Sequence, residues 1–308
     1  MKITHVAAAV FLRPDGTFLL AQRPEGKPYP GYWEFPGGKL EAGETPHDCL
    51  VRELKEELDV TITKATPWIT RVHVYTHATV RLHFFRVTAW TGEFRGLEGQ
   101  AHIWQNIHAL DVSPMLPANT PVFRALSLPA QYAITDIAAM GWSEYSQRLE
   151  RALDNGLRLI QLREKSLARA ELVRVGRALV DLAREHGARV VVNSDHDIAA
   201  EIAADGLHLT SAALTACSIR PAHALVLAST HSRTELERAA QLELDGVVCG
   251  PVLTTASHPA ANPMGWEGFA ACIADPPLAV YALGGLGPQH LVQAQALGAH
   301  GVAYRRAL

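Results

Sequence analysis

The chain is poor in cysteine. Its 308 residues hold only Cys49, Cys217, Cys249 and Cys272, and no two of them form a C-x-x-C pair. That excludes a zinc knuckle and a disulfide framework, and free thiols fit a reducing compartment. Long apolar runs are also missing: none reaches the roughly 18–20 residues that span a bilayer. Charge of one sign is scarce, with a net charge of −3 and the signs mixed along the chain. A basic surface for a nucleic-acid polymer is therefore not expected. Met1–His5 leads straight into an apolar, strand-like run without a small-residue cleavage site, so we expect no secretion signal, no membrane association and a cytoplasmic protein.

Apolar residues are plentiful at 48%. That is enough for real cores and excludes global disorder. The length exceeds one ordinary small domain and suits two. The grammar changes near residue 130. Before it, Trp, Phe, Tyr and His are frequent; after it, Ala, Leu and short apolar strands recur in a regular rhythm. Turn-rich stretches at Ser113–Pro117 and Ser127–Ala130 place the boundary at 128–131, giving domains of 1–128 and 131–308.

In the first domain, strands are expected at Ile3–Leu12, Thr17–Arg23, Ile69–Tyr75, Thr79–Thr88 and Ala101–Asn106. A Gly/Pro-rich loop occupies Pro24–Gly43, and a short helix runs over Pro121–Leu126. The helix Pro46–Leu58 is the clearest element. Thr45 is its N-cap candidate, Pro46 sits at its first position, and Leu50, Leu54 and Leu58 recur every four residues as the buried face. The second domain holds eight short apolar strands, at Tyr132–Asp136, Arg158–Arg163, Arg189–Asn193, Gly206–Leu209, Ala224–Ser229, Gly246–Cys249, Leu278–Leu283 and Gly301–Tyr304. Helix-period segments such as Ala168–His186 and Arg233–Leu244 separate them. Strand–helix repetition implies a parallel sheet with right-handed crossovers. Eight repeats point to a (β/α)8 barrel, with a doubly wound open sheet as the alternative.

The sharpest motif is Gly38-x5-Glu44-x7-Arg52-Glu53-Leu54-x-Glu56-Glu57-x-Asp59-Val60. Glu53, Glu56 and Glu57 stand at i, i+3 and i+4, on one helix face. Their repulsion would be relieved by a hard divalent cation that prefers oxygen, and the Phe35–Gly38 loop could add carbonyl ligands. Arg52 can pair with Glu56. Three glutamates alone suit a solvated face. The full spacing, with Gly38, Glu44 and Arg52, reverses that preference. His73, His77 and His83 alternate on strands without a carboxylate or Cys partner at ligand spacing, so they read as surface or internally satisfied groups rather than zinc ligands.

This segment resembles the Nudix box, G-x5-E-x7-R-E-U-x-E-E-x-G-U, and departs from it only at Asp59, where the family has a helix-ending glycine. Asp tolerates the same left-handed conformation at a modest penalty. The resemblance runs across the first domain and is closest to the MutT-type 8-oxo-dGTP diphosphatases, through Ala21–Arg23, Trp33–Lys39, Glu98–Gln100 and Leu116–Asn119. It implies an α/β/α sandwich on a mixed sheet and a Mg2+ cofactor, a site that Mn2+ could also fill. Gly38, Glu53, Glu56, Glu57 and Glu98 would be metal ligands, and Glu44 a supporting carboxylate. Water would attack the β-phosphorus of an oxidised purine nucleotide and release pyrophosphate, with Glu53 or Glu98 as general base. Arg23, Phe35 and Asn119 would hold the purine, while His77 and Ala78 depart from the subgroup's base pocket.

The second domain resembles the thiamine phosphate synthase and TenI family through Tyr132–Asp136, Gln161–Lys165, Ser229–His231, Gly250–Val252 and Gly284–Gly285. This implies a TIM barrel in which Gln161, Arg163 and Lys165 line a pyrimidine diphosphate site, and Gly284, Gly285 and the region near Gly301 present amides to a thiazole phosphate, leaving room for a thiamine-type phosphate ligand in the barrel. Several positions depart from the family. Asn193-Ser194 and Thr210–Ala213 replace carboxylate-bearing runs, Thr255–His258 lacks the phosphate-loop lysine, and Pro251 stands where the TenI branch carries histidine. Without those carboxylates a diphosphate leaving group is hard to neutralise. Asp195 or Asp197 could compensate, although a loop turn is the simpler reading. The expectation is thus a nucleotide pyrophosphohydrolase with a degenerate barrel. The alternative is a thiamine-related transferase or phosphate-ligand sensor whose Nudix domain acts on thiamine-type pyrophosphates.

Overall fold

A computed structural model describes residues 3–76, 78–255 and 262–306. The expectations placed on His77 and on Ala256–His258 fall outside them. The chain divides into two compact units, Met1–Ser127 with Asp275–Pro277, and Leu128–Ala274 with Leu278–Leu308. No helix among the described residues is long and apolar enough to cross a membrane.

The first unit comprises β1 (Ile3–Phe11), β2 (Phe18–Gln22), β3 (Trp33–Glu34), β4 (Gly37–Lys39), α1 (Pro46–Leu58), β5 (Thr61–Val74), β6 (Thr79–Thr91), β7 (His102–Gln105) and α2 (Thr120–Leu126). One mixed sheet runs β4-β1-β6-β5, with β1 and β6 parallel and the other pairs antiparallel. An antiparallel sheet β3-β2-β7 accompanies it. The fold is as expected, with three differences in detail. β3 and β4 lie inside the segment read as loop. β5 is twice the expected length, because its first half carries Pro67 and polar residues that hide a strand. It lies at the sheet edge and takes up register shifts between Ile62 and Lys64, Lys64 and Ala65, and Pro67 and Ile69. Edges and bulges are where proline is tolerated.

Helix α1 forms for the reasons read from the sequence. The Thr45 hydroxyl accepts from the Asp48 amide at 3.2 Å, and Pro46 opens the first turn. Leu50, Leu54 and Leu58 are fully buried against Ala7, Ala9, Phe11, Phe85 and Val87. Burial of that kind stabilises by about 1.5–3 kcal/mol per side chain. The helix ends on Asp59 in the left-handed region, φ 55° and ψ 27°, whose amide donates to the Leu54 and Lys55 carbonyls. The position that departs from the glycine pattern therefore does the glycine's conformational work.

The second unit is a closed parallel barrel. Its strands are β8 (Gln131–Ile134), β9 (Leu159–Leu162), β10 (Arg189–Asn193), β11 (Gly206–Leu209), β12 (Leu225–Thr230), β13 (Gly246–Cys249), β14 (Ala279–Leu283) and β15 (Gly301–Tyr304). β15 pairs back onto β8, so the sheet closes and the open-sheet alternative falls. The helices are α3 (Ile137–Met140), α4 (Trp142–Asp154), α5 (Arg169–Glu185), α6 (His196–Glu201), α7 (Ser211–Ala216), α8 (Arg233–Gln241), α9 (Gly265–Cys272) and α10 (Leu291–Ala296). The strand bodies are buried on both faces, which is why each reads as a short continuous apolar run.

Candidate active site

Gly37 and Gly38 bring β4 hard against its neighbours. A Cβ on Gly37, at φ 145°, would stand 2.1 Å from the Ala7 carbonyl oxygen. A Cβ on Gly38 would overlap the Glu53 carboxylate, 2.0 Å from its carboxyl carbon. Glycine at 38 thus lets a carboxylate from α1 lie on the β4 backbone. Cys49, one turn earlier on α1, donates its thiol to the Gly38 carbonyl at 3.5 Å.

Arg52 is the hub of this face. Its Nε and Nη2 grip Glu44 at 2.9 and 3.0 Å in a two-point pair, and Nη1 reaches Glu53 at 2.9 Å and Glu56 at 3.2 Å. Nη2 also donates to the Lys39 carbonyl at 3.2 Å. The sequence reading had anticipated the Glu56 contact, but the principal partner is Glu44. Arg52, together with the Glu41 amide, holds the Glu44 carboxyl at about 2.

Glu57 and Glu98 meet through Lys27, a residue the sequence reading did not single out. The Lys27 ammonium lies 2.7 Å from Glu98 and 3.4 Å from Glu57. Burial pushes the Glu57 carboxyl up to about 7; Lys27 opposes the shift, and the charges of Glu53 and Glu98 add to it. In this arrangement the carboxylates turn to Arg52 and Lys27, and among the described residues no three acidic, His or Cys side chains converge on one point. The donor set still fits a hard divalent cation. It is all oxygen, it is crowded with negative charge, and one cation, the Lys27 ammonium, already bridges two of its carboxylates.

The residues expected to hold a base are arranged differently from one another. Arg23 is committed internally: Nη1 contacts both Glu34 oxygens at 2.6 and 2.5 Å, and Nε donates to the Pro28 carbonyl at 2.6 Å. Burial raises the Glu34 carboxyl, and Arg23 opposes that shift. The Phe35 side chain lies in the core, 3% exposed, packed with Phe18, Phe84 and Phe123. Its ring is thus a core group rather than a surface for a base. Asn119 is 2% exposed and its side-chain Nδ2 has no hydrogen-bond partner. Buried amides are rarely left so.

Tyr75 was also missed. Burial, reinforced by the charge of Glu34, pushes its phenol up to about 12, and it interacts with Arg23, Tyr29 and the main chain of Ala118. The Tyr29 ring lies 5.5 Å from that of Tyr75 and 5.3 Å from that of Tyr32. Tyr29 and Tyr32 lie in the loop before β3 and Tyr75 just after β5, so only the tertiary fold brings them together. His83 is internally satisfied, stacking on His5 with ring nitrogens 3.1 Å apart, while the His73 ring packs on Tyr75 with centroids 4.3 Å apart.

At the carboxyl ends of the barrel strands, side chains mostly serve the backbone. The Ser194 hydroxyl accepts from the Thr210 amide at 2.9 Å and donates to the His208 carbonyl at 3.3 Å. Thr210 caps α7, and Asp195 caps α6 by accepting from the Ile198 amide at 2.9 Å. Asp195 is therefore the turn residue of the simpler reading, and Asp197 is exposed. Glu164 accepts from the Ile137 and Ala138 amides, and Asp136 pairs with Arg305 at 2.8 Å. Gly284 (φ 109°) and Gly285 (φ 67°) make a turn that L side chains disfavour, and a Cβ on Gly284 would meet the Pro251 Cα at 2.6 Å. Gln161 is 1% exposed, and its side chain interacts with the buried Tyr132 hydroxyl.

The NUDIX domain profile matches residues 3–126, and the profile described as thiamine monophosphate synthase matches residues 131–308. The first domain is 38% identical over 125 residues to an 8-oxo-dGTP diphosphatase of Haemophilus influenzae, covering 41% of this chain and 92% of that protein. It is 36% identical over 125 residues to a CTP pyrophosphohydrolase of Escherichia coli, again 41% and 92%. The second domain is 36% identical over 156 residues to a thiamine-phosphate synthase of Moorella thermoacetica, covering 49% of this chain and 74% of that protein.

Proposed function

The chain belongs to the Nudix hydrolases through its first domain and to the thiamine monophosphate synthase family through its second; from that premise we propose that the first domain, taken as residues 1–128, hydrolyses oxidised purine nucleoside triphosphates such as 8-oxo-dGTP to the monophosphate and pyrophosphate. The observation that carries this reading is the Glu53 carboxylate lying on Gly38 and tied by Arg52 to Glu44 and Glu56. Glu53, Glu56, Glu57 and Glu98, with the Gly38 carbonyl, would hold Mg2+, or Mn2+ in its place. Such an ion screens the triphosphate and lowers the pKa of bound water.

The chain's own groups supply the rest. Arg52 fixes the direction of Glu53 and Glu44, which keeps a carboxylate oxygen oriented toward the attacking water. Glu53 or Glu98 takes that water's proton. The Asn119 amide, buried with an unused donor, suits a purine edge that offers an acceptor. Leaving such a donor unpaired penalises bases that lack the matching acceptor, which is a strong source of discrimination. Tyr75 and Tyr29 offer faces against which a base can pack.

Pyrophosphate release from 8-oxo-dGTP, dGTP, CTP and thiamine diphosphate in Mg2+ tests the proposal. We expect clear preference for 8-oxo-dGTP and loss of turnover in a folded Glu53→Gln variant. Equal rates on 8-oxo-dGTP and dGTP would refute the base assignment, and full activity of Glu53→Gln would remove Glu53 from the centre. For the barrel, residues 131–308, we propose phosphate binding without synthase turnover. The hydroxyls of Ser194 and Thr210, engaged by the backbone, support that reading. Calorimetry with thiazole phosphate and thiamine phosphate checks it, and formation of thiamine phosphate from the two synthase substrates would overturn it.

A further inference from the structure

Two of the four cysteines stand together. The Cys249 and Cys272 sulfurs lie 3.7 Å apart, both as free thiols. Cys249 ends β13 and is fully buried; Cys272 ends α9 and is half-buried. Both elements are anchored in the barrel core, since Phe269 and Ile273 of the α9 segment pack in the same buried cluster as Cys249. A disulfide needs sulfurs about 2.05 Å apart, so closure requires a side-chain shift of under about 2 Å rather than a rearrangement of the fold.

We propose that Cys249 and Cys272 form a dithiol that peroxides oxidise to an internal disulfide, a modification site in the second domain independent of the hydrolase reading. The two thiols are chemically unequal. The hydrogen bond shared with Cys249, helped by the positive charge of Arg233 and by the nearby His231, draws the Cys272 thiol below its ordinary value against the opposing effects of burial and Glu235. Cys249 is driven the other way by its place in the pair and by burial. Cys272, the half-buried member that a peroxide can reach, is thus the attacking thiolate, and the fully buried Cys249 is the resolving thiol.

The Cys272 thiolate attacks one oxygen of hydrogen peroxide. The O–O bond breaks, leaving a sulfenic acid on Cys272 and hydroxide, which takes a proton to become water. The Cys249 sulfur, giving up its proton, then attacks the Cys272 sulfur. The S–O bond breaks and the departing hydroxide leaves with that proton as a second water. The dithiol loses two electrons and two protons, and the peroxide is reduced.

Cys49 and Cys217 are internal controls. Cys49 donates to the Gly38 carbonyl at 3.5 Å, and burial with the charges of Glu44 and Glu53 pushes its thiol up to about 11. Cys217 donates to the Ile219 carbonyl at 2.7 Å. The site lies beside the glycine turn, since Val252 and Leu253, just after Cys249, donate to the Leu283 and Gly284 carbonyls at 2.8 and 2.9 Å.

The test treats the reduced, full-length chain with graded hydrogen peroxide, then unfolds it in denaturant, blocks remaining thiols with iodoacetamide, and reads intact mass and linked peptides. The expected result is a loss of two hydrogens, two fewer alkylations, a Cys249–Cys272 linked peptide, and reversal by dithiothreitol. Cys249→Ser should instead leave a sulfenic acid on Cys272 that dimedone traps. Should that buried variant fail to fold, Cys272→Ser should remain fully alkylatable at the other three cysteines. Oxygen added to wild-type Cys272 without the link, a link through Cys217, or four unreacted thiols would each overturn the proposal.

Discussion

Gly38→Ala isolates the feature on which the hydrolase reading rests. A methyl at this position would lie 2.0 Å from the Glu53 carboxyl carbon and 2.2 Å from each of its oxygens. Favourable carbon contacts lie at about 3.5–4.0 Å, so the carboxylate must retreat by roughly 1.5 Å. Retreat stretches its 2.9 Å bond to Arg52, whose remaining contacts to Glu44 and Lys39 resist following. Forcing a methyl into a packed site costs about 1–3 kcal/mol of stability, which the buried leucines of α1 can absorb without unfolding. The larger effect is on chemistry: misplacing a reacting group by about 1 Å can cost about 100-fold in rate. We therefore expect kcat for 8-oxo-dGTP to fall by about 100-fold or more while the denaturation midpoint drops only modestly. Gly16→Ala is the control. It meets nothing within 4 Å, so it carries backbone strain at φ 81° but no clash. The assay is Mg2+-dependent pyrophosphate release, with unfolding followed by circular dichroism. A folded Gly38→Ala protein whose kcat stays close to that of Gly16→Ala would refute the reasoning, because Glu53 would then act from somewhere other than the β4 backbone.

Asp59→Gly should leave kcat unchanged and the midpoint no lower, because Asp59 already adopts the left-handed conformation and loses only a solvent-exposed pair with Lys55; a clear fall in activity would show that Asp59 touches the chemistry. Lys27→Met should tighten Mn2+ binding to the substrate-free protein between about 1.4- and 5-fold, the range set by an exposed ion pair of about 0.2–1 kcal/mol, and weaker binding in a metal-dependent thermal shift would contradict a competing role. His208 is wholly buried between the Tyr132 and Ser229 hydroxyls, each 2.9 Å from a ring nitrogen, and burial, with the charge of Arg163, pushes its pKa down to about 3. The unfolded chain, with an ordinary His near about 6.5, then binds a proton that the folded barrel refuses. Barrel stability should thus fall as pH drops below about 6.5, by up to about 1.4 kcal/mol per pH unit until about 3. Denaturant titrations of wild type and His208→Gln should diverge across that window; parallel slopes would exclude His208 as the cause.

What was legible in the sequence was whatever local chemistry determines. The Thr45 cap, Pro46 and the four-residue leucine spacing specify α1 without help from the rest of the chain. The barrel strands announce themselves because burial on both faces makes each a continuous apolar run. What stayed hidden depends on partners far away in the chain. Trp33–Glu34 and Gly37–Lys39 are strands only because β2 and β1 offer backbone partners, as in the Ala21–Glu34 and Ala7–Gly38 registers. Arg23 could be read as a base-binding group, but the β2–β3 register also sets it beside Glu34, 11 residues on. Lys27 gave no signal at all: it is one lysine in a Gly/Pro-rich loop, and its meaning lies in Glu57 and Glu98, 30 and 71 residues away.

The same logic bears on why the barrel should bind without reacting. Near its carboxyl-terminal strand ends, the acidic and hydroxyl groups of Glu164, Asp195, Ser194 and Thr210 accept from main-chain amides, and Asp136 is drawn to Arg305 and Arg306. A carboxylate that caps a helix cannot also coordinate a divalent ion without releasing the amides it satisfies, and a buried amide without a partner is costly. Restoring metal chemistry there would therefore require new carboxylates, not rotation of existing ones. An anion makes the opposite demand: it needs donors. At the Gly284–Gly285 turn the face that a side chain would occupy is filled by Pro251, Leu253 and Thr254, each within 2.6–2.8 Å of where a Cβ would stand, so an anion there would be held by main-chain amides. Such an arrangement suits a monophosphate, which backbone amides can hold, and handicaps departure of a diphosphate, which needs a cation to stabilise it as it leaves.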